Sequence, residues 1–114
     1  MISKEIRAFL DAYTSDICLR SDELAIKPDL TAEEKVFGHL ACLVEEVGEL
    51  SAELRNKYQM SFNQRKVDAF TEADLEDELV DVLITWLILA KEVGIESLDE
   101  VIERKIGKNN ARGY

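Results

Sequence analysis

Residues 75–90 read LEDELVDVLITWLILA, and this stretch decides the fold of the 114-residue chain. Between Leu79 and Ala90 only two residues are polar, Asp81 among them, so the stretch predicts a helix that is buried on most faces. An unpaired ionised carboxylate in such a helix carries a large desolvation penalty. Asp81 therefore needs a partner, and the nearest cation along the chain, Lys91, belongs to another part of the helix. We expect the partner to be a divalent metal ion.

A second stretch, LVEEVGELSAEL at 43–54, also has helical spacing and carries Glu46 and Glu49 three residues apart. Glu78 and Asp81 repeat that spacing, and residues three apart on a helix lie on one face about one turn from each other. Packed helices have axes about 8–10 Å apart, so the two pairs can converge on one volume. Two charges about 5 Å apart repel by roughly 3 kcal/mol at an effective dielectric constant of about 20, so four converging carboxylates need a cation.

Ligation by oxygen alone favours a hard cation. Mg²⁺ takes carboxylate oxygens, water and phosphate oxygens in octahedral geometry, and Mn²⁺ is the expected substitute. Zinc is a poor fit because His39 is the only histidine and the two cysteines lack a zinc-binding spacing. A ferritin-like di-iron site would need Glu-x-x-His motifs, and Val36 stands three residues before His39.

Length, composition and charge place the chain among globular proteins. With 114 residues, of which 46% are apolar and 33% charged, we expect a single domain spanning residues 1–114. The net charge of −10 argues against a nucleic-acid partner, which needs a basic surface. The apolar run of the chain is too short to cross a bilayer, and the N-terminus does not resemble a secretory signal, so we expect no membrane partner and a cytoplasmic location.

The spacing of apolar residues predicts an all-α protein whose protomer is like a four-helix bundle. The helices are expected at about 3–19, 32–58, 72–94 and from residue 98. Each begins after a residue whose hydroxyl can cap it: Ser3, Thr31, Thr71 and Ser97.

Two segments are expected to be less regular. Residues 59–70 lack a clean period and predict a loop that could close over a substrate, and Gly107 with the polar residues after it predicts a loosened end of the last helix. Residues 20–30 contain the only proline and predict an ordered connection that can include a short helical turn.

Apolar residues also exceed what one core-facing stripe needs. Val80, Ile84 and Ile88 lie off the main stripe of the third helix and predict a self-association face, hence a homo-oligomer. Trp86 lies in the middle of the stripe and favours core packing, and His39 favours a structural role.

The two acidic pairs carry a resemblance. Glu45-Glu46-Val-Gly-Glu49-Leu, with 28 residues between Glu49 and Glu78-Leu-Val-Asp81, resembles the ExxE…ExxD pattern of the MazG-type nucleoside triphosphate pyrophosphatases. This all-α superfamily includes dimeric dUTPases and phosphoribosyl-ATP pyrophosphatases. The resemblance covers about residues 32–112. It implies Mg²⁺-dependent hydrolysis of a nucleoside triphosphate, in particular a dNTP, between the α- and β-phosphates to give a monophosphate and pyrophosphate, in a house-cleaning role.

The resemblance also implies roles for individual residues. The implied metal ligands are four acids: Glu46, Glu49, Glu78 and Asp81. The implied catalytic residues are Glu45, Glu46 and Glu49, and either Glu45 or a metal-bound glutamate would activate water. The segment Lys105-x-x-x-Asn109-x-x-Arg112 looks like the substrate-binding segment that contacts phosphates in the family, although cations near a helix C-terminus are also favourable without any ligand. A neighbouring subunit usually completes the family's site, which implies a dimer or a tetramer.

Two other functions stay open. A dUTPase or a phosphoribosyl-ATP pyrophosphatase belongs to the same superfamily, and the short chain weakens the dUTPase alternative. A non-catalytic helical regulatory or interaction protein would have solvated acids or a structural metal. Pyrophosphate release from a panel of nucleotides, with and without Mg²⁺, distinguishes the three.

Overall fold

The computed structural model describes residues 2–113, and this part of the chain is helical with no β-strand. The helices are α1 (Lys4–Leu19), α2 (Ser21–Leu24), α3 (Ala32–Lys57), α4 (Gln64–Ala69), α5 (Glu72–Glu92) and α6 (Leu98–Ala111). The all-α fold class and the four long predicted helices are thus confirmed; α2 is the short helical turn expected within residues 20–30, and α4 is an additional helix. Within residues 2–113, no helix combines the length and the apolar composition that crossing a membrane requires.

Polar caps begin the four long helices where the sequence predicts them. In α3 the backbone N–H of Glu34 donates to the Thr31 hydroxyl (3.1 Å), and the backbone N–H of Thr31 donates to the Glu34 carboxylate (3.2 Å). The other three caps each accept one bond from the first turn of their helix: Ser3, Thr71 and Ser97. Since each such cap stabilises a helix by about 1 kcal/mol, the starting points are fixed by local sequence.

Helices α3 and α5 form the main packed pair, and α1 packs against α5. The pair is antiparallel, because Lys57 at the end of α3 bonds to Glu72 at the start of α5 (3.0 Å). At the other end of the pair, His39 Nε2 lies 3.6 Å from a carboxylate oxygen of Glu92. This arrangement brings the middle of α3 opposite the first half of α5, which is where the two acidic pairs lie.

The protomer buries few apolar side chains. Among residues 2–113 only Leu75, Ile88 and Ala90 are buried apolar residues, while large apolar side chains on α1, α3 and α5 are exposed. The radius of gyration is 17.1 Å, against about 13 Å expected for a compact domain of this length. A lone protomer therefore presents far more apolar surface than a soluble monomer normally exposes.

Two segments are more helical than predicted. The expected loop at 59–70 contains α4, and the Asn63 side chain caps it by accepting a bond from the backbone N–H of Lys66 (3.4 Å). A helix of six residues is too short to give a recognisable apolar period, which is why the sequence pattern missed it. The last helix runs through Gly107 to Ala111, since one exposed glycine costs a helix only about 1 kcal/mol.

Two predicted positions on α5 are also wrong. Ile88, assigned to a self-association face, is only 6% exposed and belongs to the small core. Trp86, assigned to the core, is 41% exposed and lines a groove together with Leu10 of α1 and Ile102 of α6. The reason is that, among residues 2–113, α3 and α1 are the helices that pack extensively against α5, so a helix that is apolar on nearly all sides keeps one side largely uncovered.

Candidate functional site

Three glutamates from α3 and α5 converge at the centre of the helix pair. One carboxylate oxygen from each of Glu46, Glu49 and Glu78 lies within 4.8 Å of the other two. Glu46 and Glu49 share a face of α3 because they are three residues apart, and the antiparallel α5 brings Glu78 opposite them. The structure therefore brings together three of the four acids that the sequence assigns to a metal.

Two of these glutamates carry an unsatisfied oxygen. The Oε2 atoms of Glu46 and Glu78 are buried and have no hydrogen-bond partner among the described residues. Leaving a buried acceptor without a partner costs about 1–3 kcal/mol, and more for a charged group. Oxygen ligands with unused lone pairs, gathered at one point, are what Mg²⁺ and Mn²⁺ bind, so the residues present fit a hard divalent cation.

The electrostatics of the cluster also favour a bound cation. Loss of solvation is the largest cause that raises the pKa of Glu46, followed by the charges of Glu49 and Asp81. The pKa of Glu78 is raised by loss of solvation first and by the charge of Glu49 next. Metal-free, the cluster thus favours holding protons, and a bound cation would favour the ionised carboxylates instead.

Asp81 and Glu45 lie at the edges of the cluster. Asp81 is half-buried one turn after Glu78, and its charge contributes to the raised pKa of both Glu46 and Glu78. Glu45 is exposed and lies one turn before Glu49 on the same side of α3. The predicted water-activating candidate is therefore at the solvent side of the cluster.

The predicted phosphate-binding residues lie on α6 and at its C-terminal cap. Lys105 and Asn109 belong to α6 and Arg112 follows its last turn, and within residues 2–113 α6 makes no extensive packing contact with another helix. The fourteen residues from Glu78 to Glu92 correspond to roughly 21 Å along α5, so α6 begins far from the acidic cluster.

A second polar group joins four helices away from the acids. His39 Nε2 of α3 lies 3.4 Å from the Ser21 hydroxyl of α2 and 3.6 Å from the carboxylate of Glu92 on α5. The thiol of Cys18 on α1 donates to the carbonyl oxygen of Ile88 (3.5 Å), and burial raises the pKa of that thiol. These contacts are those of a structural histidine in a helix junction.

One feature near the acids was not predicted from the sequence. A pocket of about 270 Å³ lies between the C-terminal part of α3 and α4. Its lining includes two cations and three other polar residues: Arg55, Lys66, Asn56, Ser61 and Asn63. One sequence feature could have pointed to this pocket. Asn56 follows Glu49 by seven residues and so lies on the same face of α3.

Comparisons with known proteins give one match. Searches of curated proteins and of solved structures matched nothing. The sequence pattern of the MazG nucleotide pyrophosphohydrolase domain matches residues 38–113, two-thirds of the chain, and this span includes both acidic pairs and all of α6. The resemblance inferred from the two acidic pairs is thereby confirmed, and the chain belongs to the MazG nucleotide pyrophosphohydrolase domain family.

Proposed function

We propose that the protein hydrolyses a nucleoside triphosphate between its α- and β-phosphates, releasing the nucleoside monophosphate and pyrophosphate, and that it requires Mg²⁺. Family membership supports nucleotide pyrophosphohydrolase activity in general. The observation that carries the metal requirement is the convergence of Glu46, Glu49 and Glu78 with two buried oxygens left unpartnered. The proposed substrate is a dNTP, in a cytoplasmic house-cleaning role.

The positions of the residues support the following proposed roles. Glu46, Glu49, Glu78 and Asp81 would hold the ion, for which Mn²⁺ could substitute. When bound, the ion would polarise phosphoryl oxygens and lower the pKa of a water molecule. Glu45 is exposed beside Glu49, where its carboxylate can orient a water and accept its proton; Glu46 and Glu49 are the alternative bases.

We also propose that the working unit is a homo-oligomer, either a dimer or a tetramer. The exposed apolar side chains support this, because their burial against another copy would gain about 25 cal/mol for each Å² removed from water. On α3 they include Phe37, Leu40, Val44 and Val47. An association of this kind would allow Lys105, Asn109 and Arg112 of one copy to contact phosphates held at the acids of another.

The test is pyrophosphate release from a panel of ribonucleoside and deoxyribonucleoside triphosphates, with Mg²⁺ or with a chelator. We expect pyrophosphate rather than single phosphate, only with the metal present. Glu49→Gln and Asp81→Asn should each lower the rate at least tenfold, since even residues that merely support metal ligands have effects of about that size. Glu76→Gln, an exposed site on α5, is the matched control and should behave as wild type.

Two results would reject the proposal. Activity that survives Glu49→Gln or persists with chelator would exclude the acids as the metal site. If no nucleotide in the panel is hydrolysed although Mg²⁺ binds, the alternative of a non-catalytic helical protein with a structural metal is favoured.

A further inference from the structure

Two cations lie together beside a pocket at the C-terminal end of α3. Arg55 of α3 and Lys66 of α4 both line the pocket of about 270 Å³. Among residues 2–113 neither of them takes part in an ion pair. In a chain with a net charge of −10, two uncompensated cations at one concave site form a local positive region, which favours an anionic ligand.

The rest of the lining suits an anion with several oxygens. Asn56 is only 7% exposed, and it lines the pocket together with Ser61 and Asn63. Guanidinium, ammonium, amide and hydroxyl groups all donate hydrogen bonds. The oxygens of an ionised phosphate accept hydrogen bonds and donate none. The volume is below the roughly 300–1,000 Å³ of pockets that enclose drug-sized ligands, so it fits a fragment such as two phosphates rather than a whole nucleotide.

The pocket and the acidic cluster also share one face of α3. Asn56 follows Glu49 by two turns on the same face of α3, about 10 Å further along the helix. The long side chains of Arg55 and Lys66 can cover part of that gap. Glu53 lies between the two sites on the same face, and its charge would repel a free anion. A phosphate ligand here should therefore need a divalent ion at the acids.

We propose that this pocket binds the terminal phosphates of the nucleotide, the part released as pyrophosphate, through Arg55 and Lys66. This inference rests on the proposed function and names a second anchoring point for its substrate. It places that point on α3 and α4, within the same protomer as the acids, whereas Lys105 lies on α6 and Arg112 follows that helix.

The experiment is calorimetric titration of inorganic pyrophosphate into the full chain, with Mg²⁺ and with chelator. We expect binding only with Mg²⁺, and Arg55→Gln and Lys66→Gln should each weaken it about tenfold, as expected for loss of a charge-assisted hydrogen bond. Arg55→Lys, which keeps the charge, should recover part of the affinity. Arg65→Gln is the matched control, because this exposed cation of α4 changes the net charge equally but does not line the pocket.

Each outcome decides between the alternatives. Wild-type affinity in both glutamine variants, or an equal loss in Arg65→Gln, overturns the pocket assignment. A change in base preference with unchanged pyrophosphate affinity would mean that the pocket holds the nucleoside, which also overturns it. If pyrophosphate binding depends on Arg55 and Lys66 while no nucleotide is hydrolysed, the pocket stands and the proposed reaction fails.

Discussion

Replacing Glu78 with glutamine separates the electrostatic strain of the acidic cluster from its use as a metal site. One oxygen of Glu78 lies within 4.8 Å of oxygens of both Glu46 and Glu49. Two charges at that distance repel by about 3.5 kcal/mol at an effective dielectric constant of about 20. Solvent screens the repulsion between Glu78 and Glu49, because Glu49 is exposed. The raised pKa of Glu46 and Glu78 favours their protonated forms, which removes part of the remaining repulsion.

We therefore expect the metal-free Glu78→Gln protein to be more stable than the wild type by about 1–2 kcal/mol, or about 4–10 °C in melting temperature for a chain of this size. Mg²⁺, in contrast, should stabilise the wild type more than the Glu78→Gln variant. Wild type should gain about 2.7 kcal/mol when the free ion is a hundred times its dissociation constant, while the variant, with one ligand weakened, should gain much less.

Thermal unfolding followed by circular dichroism, with chelator and then with Mg²⁺ at one protein concentration, measures both effects. Glu76→Gln has the same charge change at an exposed position on α5 and should alter stability by no more than about 0.5 kcal/mol. The reasoning is refuted if metal-free Glu78→Gln is less stable than the wild type, or if it gains as much from Mg²⁺.

Three further predictions concern stability. Because burial raises the pKa of Glu46 and Glu78, the metal-free folded chain binds more protons than the unfolded chain, so its unfolding free energy should fall as the pH rises through the raised pKa range. Melting curves from weakly acidic to neutral pH measure this, and Glu46→Gln should flatten the slope; an equal slope in that variant would contradict the assignment. Gly48→Ala should stabilise α3 by about 1 kcal/mol in denaturant unfolding, since the added Cβ meets nothing within 4 Å in the protomer. A loss of stability there would reveal another molecule packed at this position. His39→Ala should cost about 1–2 kcal/mol by leaving half-buried Glu92 without its partner, yet leave pyrophosphate release from folded protein unchanged; a selective loss of activity would instead give His39 a role with substrate.

What could be predicted from the sequence is what depends on neighbours along the chain. The start of α3 follows from Thr31 and Glu34, which satisfy each other's backbone groups within one turn. The proximity of Glu46 to Glu49 follows from helical spacing alone. Their approach to Glu78 required one more assumption, that the two helices carrying the acidic pairs pack together, and the structure has that packing.

What could not be predicted depends on contacts between distant segments. Trp86 is 41% exposed because α1 and α6 leave a groove on its side of α5, and no local pattern records how those helices are placed. The position of Lys105 relative to the acids depends on the direction that α6 takes after the turn at Gly94. Arg55 and Lys66 line one pocket only because α4 folds back beside the end of α3, and residues 59–70 have no helical period from which to expect this.

The small core of the protomer should make the activity depend on protein concentration. Leu75, Ile88 and Ala90 are the only buried apolar residues among those described. In the proposed homo-oligomer, folding of the protomer and its association with another copy would therefore be coupled in one step. The melting temperature should then climb with protein concentration. Catalytic output would rise more steeply than in direct proportion to expression, because sparse chains would remain mostly unassembled.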